Sequence, residues 1–492
     1  MNIASSIKVG LMSIMFLTVS CGQRISVSES IGEYPEIFPD YAGVTVPANI
    51  APLNFSYLGD EPAVLIVDGN NGERQIKGRK GLFSFQTKCW RKLMETSAGS
   101  DIELTVAVKR DGKWHAFKPF KITVSADKID PYLSYRLIPP GYEAWKKMGI
   151  YQRNLETYSQ TPIIENSLTG GNCVNCHTYC QRDPSMMLFH ARADFGGTAM
   201  IIGGQVEKLN TKTDSTISAL VYPYWHPSGK YVAFSVNSTS QNFFSHNPNR
   251  IEVYDSASDI VVYDVYKHEI SWSPLTRSEG SFETFPTFSP DGRGMYYCSA
   301  KAVSPMPQEY SKVKYSLCRI DFNPEDASFG DKVDTLYNGA ENGKSVSFPR
   351  ISPDGRFMVF TLQEYGNFSI WHKDADLWTM NMSTGELHPL DEANSEDVDS
   401  YHSWSGNSRW LVFSSRRIDG LYTRPFICHI DENGHASKPF LLPQKNPLKY
   451  YADQMVSYNL PELMECKVTV SRHKITNTLR NTSGTDITVK EK

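Results

Sequence analysis

Apolar and polar residues alternate through the early part of this chain. Ala63-Val64-Leu65-Ile66-Val67, Leu82-Phe83-Ser84-Phe85, Ile102 to Val108 and Phe120 to Val124 each read as half-buried strands, because successive strand side chains point to opposite faces. Asp-Gly, Asn-Gly and Lys-Gly turns separate them. With weaker candidates included, about seven strands fall within residues 34–126, which predicts a small immunoglobulin-like β-sandwich. Residues 127–184 then change texture. They carry a Tyr/Pro-rich run from Asp130 to Tyr142 and a short predicted helix from Glu143 to Met148, and they read as a connector.

Downstream, the pattern repeats. Tyr222-Pro223-Tyr224-Trp225-His226-Pro227-Ser228-Gly229 returns as Phe285-Pro286-Thr287-Phe288-Ser289-Pro290-Asp291-Gly292 and as Phe348-Pro349-Arg350-Ile351-Ser352-Pro353-Asp354-Gly355. A degenerate copy runs Tyr401-His402-Ser403-Trp404-Ser405-Gly406-Asn407-Ser408, and the intervals are 63, 63 and 53 residues. Each copy reads as strand, tight turn, strand, and a period of this length signals propeller blades. Further strands follow at Ile260 to Val265, Ser316 to Asp321, Asp376 to Met380 and Phe426 to Ile430. An earlier hairpin from Met187 to Ile202, turning at Gly196-Gly197, makes five blades, and material near either chain end could complete a sixth. The pattern thus predicts a mainly β protein with a β-propeller of five to six blades over residues 185–465 and a polar C-terminal tail over 466–492.

These Phe-Pro-x-Phe-Ser-Pro-Asp-Gly units, with the trailing Asp376-Leu377-Trp378, resemble the repeats of TolB-type β-propellers over about residues 185 to 445. Together with Cys173-Val174-Asn175-Cys176-His177 and the N-terminal features below, the whole resembles a family of exported bacterial TolB-like propeller lipoproteins carrying a single c-type haem motif. That resemblance implies architecture more than a reaction.

Residues 1–21 change the picture of where the chain works. Lys8, the apolar run Val9 to Val19 and the small residues before Cys21 read as a lipoprotein signal peptide, with Cys21 the lipidation site and residues 22–33 a polar tether. Thr18 stands where such boxes usually carry leucine, and the alternative is an ordinary secretory signal. Either way the mature chain is expected outside the cytoplasm, and the lipoprotein reading places it in the envelope of a Gram-negative bacterium, most simply lipid-anchored in the outer membrane. Membrane contact is then through the lipid alone. A net charge of −4 over 492 residues gives no reason to expect nucleic acid as a partner.

The candidate chemistry lies in Cys173-Val174-Asn175-Cys176-His177. Two thiols at this spacing add across the vinyl groups of a haem, and the adjacent imidazole ligates the iron, so one covalent haem c is the expected cofactor. His177 is then the proximal metal ligand. For the sixth position the nearby candidates are His190 and the methionines Met186 and Met187, with an open or more distant site as the alternative. Cys180 is left to pair with Cys89, to stay free, or to complete a zinc-type cluster with Cys173, Cys176 and His177. Arg136 and Arg153 are candidate partners for haem propionates. No Gly-x-Ser-x-Gly elbow occurs, so no catalytic residue is assigned and an enzyme is disfavoured. The expectation is an electron-transfer or redox-sensing haem protein whose propeller docks a redox partner or another envelope protein. The competing reading is a non-catalytic binding or scaffold propeller in which a haem, zinc or dithiol site is structural or sensory.

Overall fold

A computed structural model describes residues 24–139, 147–247 and 249–490. The signal peptide, Cys21 and most of the helix expected at Glu143 to Met148 lie outside the described residues. The protein is mainly β.

The N-terminal strands form a seven-stranded and a three-stranded sheet that share one core. Ala63–Asp68, Ser100–Arg110 and Phe120–Ser125 belong to the larger, and Phe55–Tyr57 and Leu82–Phe83 to the smaller. The alternation predicted all of these strands except Phe55–Tyr57. It did not predict the helix Thr87–Thr96, whose Trp90, Leu93 and Met94 fall on one face and seal the core. Part of the expected tether is structured too: Glu29–Ser30 pairs in parallel with Lys113–Ala116.

Beyond residue 131 six sheets, each built on four antiparallel strands, follow one another, the innermost strand of each against the innermost strands of its neighbours. This is the arrangement of a six-bladed β-propeller. The connector expected over 127–184 is corrected here, because its alternating residues are blade strands. Tyr132–Ile138, Gly149–Asn154 and Gln160–Glu165 form blade 1, and its innermost strand is Ser457–Met464, which returns from the far end of the chain and closes the ring. Blade 2 begins with Val174–Cys180, so the ring starts well before residue 185. Blades 3 to 6 begin with Val221–Trp225, Ser281–Phe288, Ser345–Ile351 and Asp399–Trp404.

The tail is also corrected. Ile475 and Leu479, four residues apart, bring the helix Arg472–Asn481 onto the core between blades 1 and 2. Thr485–Asp486 and Thr488–Val489 then add parallel outer strands to blades 2 and 3. The N-terminal domain is fused to the ring rather than tethered to it. Its core continues into Leu133, Tyr135, Trp410 and Tyr458, and Tyr158 donates to the Pro52 carbonyl at 2.8 Å.

Candidate functional site: the axial cavity

The six innermost strands share one irregularity. Each has a β-bulge with a non-glycine residue in the left-handed region: Leu460, Cys176, Tyr222, Phe285, Phe348 and Tyr401, with φ between 48° and 53°. Such a conformation costs roughly 1–2 kcal/mol at a non-glycine residue, so its recurrence at equivalent places reflects the ring rather than local preference. The residue that follows is Pro461, Pro223, Pro286 or Pro349 in four blades, and His177 or His402 in the other two. Proline suits a bulge because it brings no N–H that needs a ladder partner. Cys176-His177 therefore occupies the Phe-Pro position of the repeat. The C-x-x-C-H motif is part of a blade.

That register turns the motif inward. Cys173, Cys176 and His177 all line an axial cavity of about 560 Å³, and they are 4%, 6% and 3% exposed. Both cysteines are free thiols. Burial pushes the Cys176 thiol up, which the Tyr222 backbone, Arg192 and Arg136 partly oppose. His177 is held neutral: burial, and then Arg136, drop its pKa to about 3, with a small opposing effect from the Leu460 backbone. Neither ring nitrogen has a partner of hydrogen-bonding geometry. A neutral imidazole with a free lone pair is the form that ligates metals. Arg136 reaches over from blade 1, with Nη1 4.0 Å from Cys173 Sγ and Nη2 donating to Asn459 Oδ1 at 3.3 Å.

The other expected ligands are not in this cavity. His190 stands opposite Asn175 in the ladder, bonds Thr198 Oγ1 through Nδ1 at 2.8 Å and packs near Phe234 of blade 3. His177 lies towards Leu460 of blade 1, so the two histidines sit on opposite faces of blade 2. Met187 is in the closed core between blades 1 and 2, beside Tyr179 and Ile163. Met186 packs at Gly229 of blade 3. Neither His190 nor Met187 lines the cavity that His177 lines.

Cys180 also points away, its thiol 3.7 Å from the His226 carbonyl and pushed up to about 11 by burial. It is not paired with Cys89, which is exposed on the N-terminal helix. Among the described residues no three His, Cys, Asp or Glu side chains converge as a metal site, so the zinc cluster is not formed. Arg153 is removed from the propionate candidates. It is buried outside the cavity, with Nη1 donating to Gln444 Oε1 at 2.9 Å and Nη2 bonded to the Pro443 carbonyl.

Several lining residues escaped the sequence reading. His402 is the blade 6 counterpart of His177, with Nε2 bonded to the Val359 carbonyl at 2.8 Å and Nδ1 unpartnered. Glu462 accepts from Tyr179 N at 3.1 Å and Thr178 Oγ1 at 3.3 Å, and burial raises its pKa to about 7. Aligning Tyr401-His402 and Leu460-Pro461-Glu462 with Phe285-Pro286-Thr287 would have found both. One end of the cavity is crossed by an arm, the outer halves of Tyr231–Phe243 and Ile251–Asp264, which contributes Gln241, Arg250 and Val253 to the wall. Buried bonds tie this arm to blade 5: Glu252 to His372 and Tyr365, both at 2.9 Å, and Asp255 to Asn367 at 2.8 Å.

No described helix is long and apolar enough to cross a membrane. No family model and no curated protein matches the chain. Among solved structures it is similar to an oligogalacturonate lyase in complex with manganese, at 13% identity and a TM-score of 0.36, over 61% of this chain and 70% of the lyase. An oligogalacturonate lyase from Vibrio parahaemolyticus scores 0.33 at 12% identity, over 61% of this chain and 92% of that one. A puromycin-hydrolysing peptidase of Mycobacterium tuberculosis scores 0.35 at 11% identity, with 71% of this chain spanning 52% of that protein. Likeness this distant assigns no activity, and what the site can do rests on its own residues.

Proposed function

We propose that this chain is an exported, lipid-anchored haem c protein, built as an immunoglobulin-like domain on a TolB-like propeller, that carries its haem in the axial cavity and serves redox sensing or electron transfer. The observation that carries the reading is the convergence of Cys173, Cys176 and His177 on one cavity. Its 560 Å³ lies within the roughly 300–1,000 Å³ of small-molecule sites. Cys173 and Cys176 would hold the group, His177 would ligate the iron, and Arg136 beside Cys173 offers a cation for a propionate. Each thiol adds S–H across a vinyl C=C, forming the S–C bond and leaving the hydrogen on the other vinyl carbon, so attachment consumes no oxidant. When bound, haem supplies a one-electron couple or a site for a diatomic ligand.

With His190 and Met187 outside the cavity, ligand or redox sensing gains on a six-coordinate carrier. Lipidation at Cys21, the cell-envelope location and a protein partner docked on the propeller remain part of this proposal. The alternative is a binding or scaffold propeller. It is favoured by the fact that Cys176-His177 also fills the bulge position that three other blades fill with Phe-Pro or Tyr-Pro, one with Leu-Pro and one with Tyr-His. Expression in a host with cytochrome c maturation, followed by haem staining of a denaturing gel, tests the proposal. The wild type should stain, and Cys173→Ala with Cys176→Ala should not. An unstained wild type would leave the scaffold reading.

A further inference from the structure

The axial cavity is more cationic than its proposed haem requires. Besides Arg182, which pairs with Asp130 and Glu465, Arg136, Arg192, Arg250, Arg350, Lys373 and Arg416 line it, against the carboxyls of Asp419 and Glu462. Asp419 is already engaged with Arg424 at 3.5 Å, and Glu462 already accepts from Tyr179 N and Thr178 Oγ1. Among the described residues no ion pair takes up Arg136, Arg192, Arg250, Arg350 or Lys373. Two haem propionates would leave positive charge over.

Arg350 is the most informative of these. It stands on the innermost strand of blade 5, three blades round a six-blade ring from Cys176 and so across the channel from the C-x-x-C-H strand. Its guanidinium lies 3.8 Å from the Phe348 ring centroid and 4.9 Å from that of Tyr224, and Nη1 donates to the Pro349 carbonyl at 2.7 Å. Burial lowers its pKa, which Tyr224, Glu462 and Cys298 partly oppose, and the side chain lines the cavity. Arg416 stacks on Trp371 in the same wall, 4.6 Å from the ring centroid. A half-buried guanidinium held by two rings and one carbonyl, with Glu462 as the carboxyl acting on it, keeps donors that a further anion can take up. Its planar fork suits the paired oxygens of a carboxylate or phosphate.

We propose that the axial cavity binds a small oxyanion, a carboxylate or an inorganic phosphate-like ion, with Arg350 as its anchor. Arg350 comes from the strand that faces the one carrying Cys176 and His177, and the anion site does not require haem attachment. The test is calorimetric titration of inorganic phosphate and of succinate into the full chain, in haem-free and haem-loaded preparations. Saturable binding of at least one anion to both is expected. Arg350→Met should weaken it at least tenfold, and Arg350→Lys, which keeps the charge and loses the fork, several-fold. If Arg350→Met does not fold, the lysine variant decides.

Binding to a preparation that never takes up haem would keep the anion site and remove only the haem reading. Binding to the haem-free chain that vanishes on loading would overturn a separate site, because haem carboxylates would then be the anion. Absence of saturable binding by the wild type, or unchanged affinity in a folded Arg350 variant, would overturn the proposal outright.

Discussion

Glu283, on the innermost strand of blade 4, shows how a single buried group sets the protein's response to pH. It is 2% exposed, Oε1 accepts from Ser299 Oγ at 3.3 Å, and Oε2 has no partner. Burial raises its pKa to about 7; Ser281 and Ser299 oppose the rise and Asp259 adds to it. The folded chain therefore holds this proton more tightly than the unfolded one. The stability it contributes is complete below about pH 4.5 and is lost as pH rises through 7. Glu283→Gln should raise stability by about 1–3 kcal/mol at pH 8 and leave it unchanged at pH 4. Denaturation midpoints at the two pH values check this. The residue scale is also where sequence reading was strongest and weakest. The motif Cys173, Cys176, His177 was legible from its spacing. The placement of His190 and Met187 was not, because a bulge at Cys176 resets which residues of the hairpin share a face.

Among the elements, the C-terminal segment does more than its polar composition suggests. Ile475 and Leu479 of the helix Arg472–Asn481 are fully buried against the cluster that contains Met187 and Phe189. At about 1.5–3 kcal/mol per buried aliphatic side chain, deleting residues 467–492 should cost about 3–6 kcal/mol, read as a fall in the urea midpoint. An unchanged midpoint would mean that the helix is not docked.

The four copies of the repeat were readable because Phe-Pro and Pro-Asp-Gly each answer a specific backbone demand, a bulge without an N–H and a turn with positive φ. The copies at Cys176 and Leu460 were not. The first replaces Phe-Pro by Cys-His and the second ends without a turn, since its partner strand Tyr132–Ile138 lies more than three hundred residues earlier. The departures at His226 and Gly406 have structural causes. His226 Nε2 joins the neighbouring turn at the Gly292 carbonyl, 2.9 Å away, and Gly406 N donates to Asp130 Oδ2 at 2.8 Å.

In the whole molecule, ring closure and the N-terminal domain act together. The last innermost blade strand to be made, Ser457–Met464, completes blade 1, and the core around Tyr135 and Tyr458 runs without a break into the N-terminal sheets. The strand Val174–Cys180 is buried along its whole length. If the proposed haem joins Cys173 and Cys176, burial of this strand favours attachment before the ring closes. Haem added with reductant to the folded, haem-free chain should form no thioether, whereas the same chain offered haem while unfolded and then refolded should retain it.

The central claim is that Cys173 and Cys176 carry a haem within the propeller, and it can be read from one peptide. Tryptic digestion of protein made in a host with cytochrome c maturation, under denaturing conditions, should release Asn154–Arg182 with the added mass of one haem and no free thiol at Cys173 or Cys176. The same peptide recovered unmodified, or with those two cysteines joined to each other, would contradict the account.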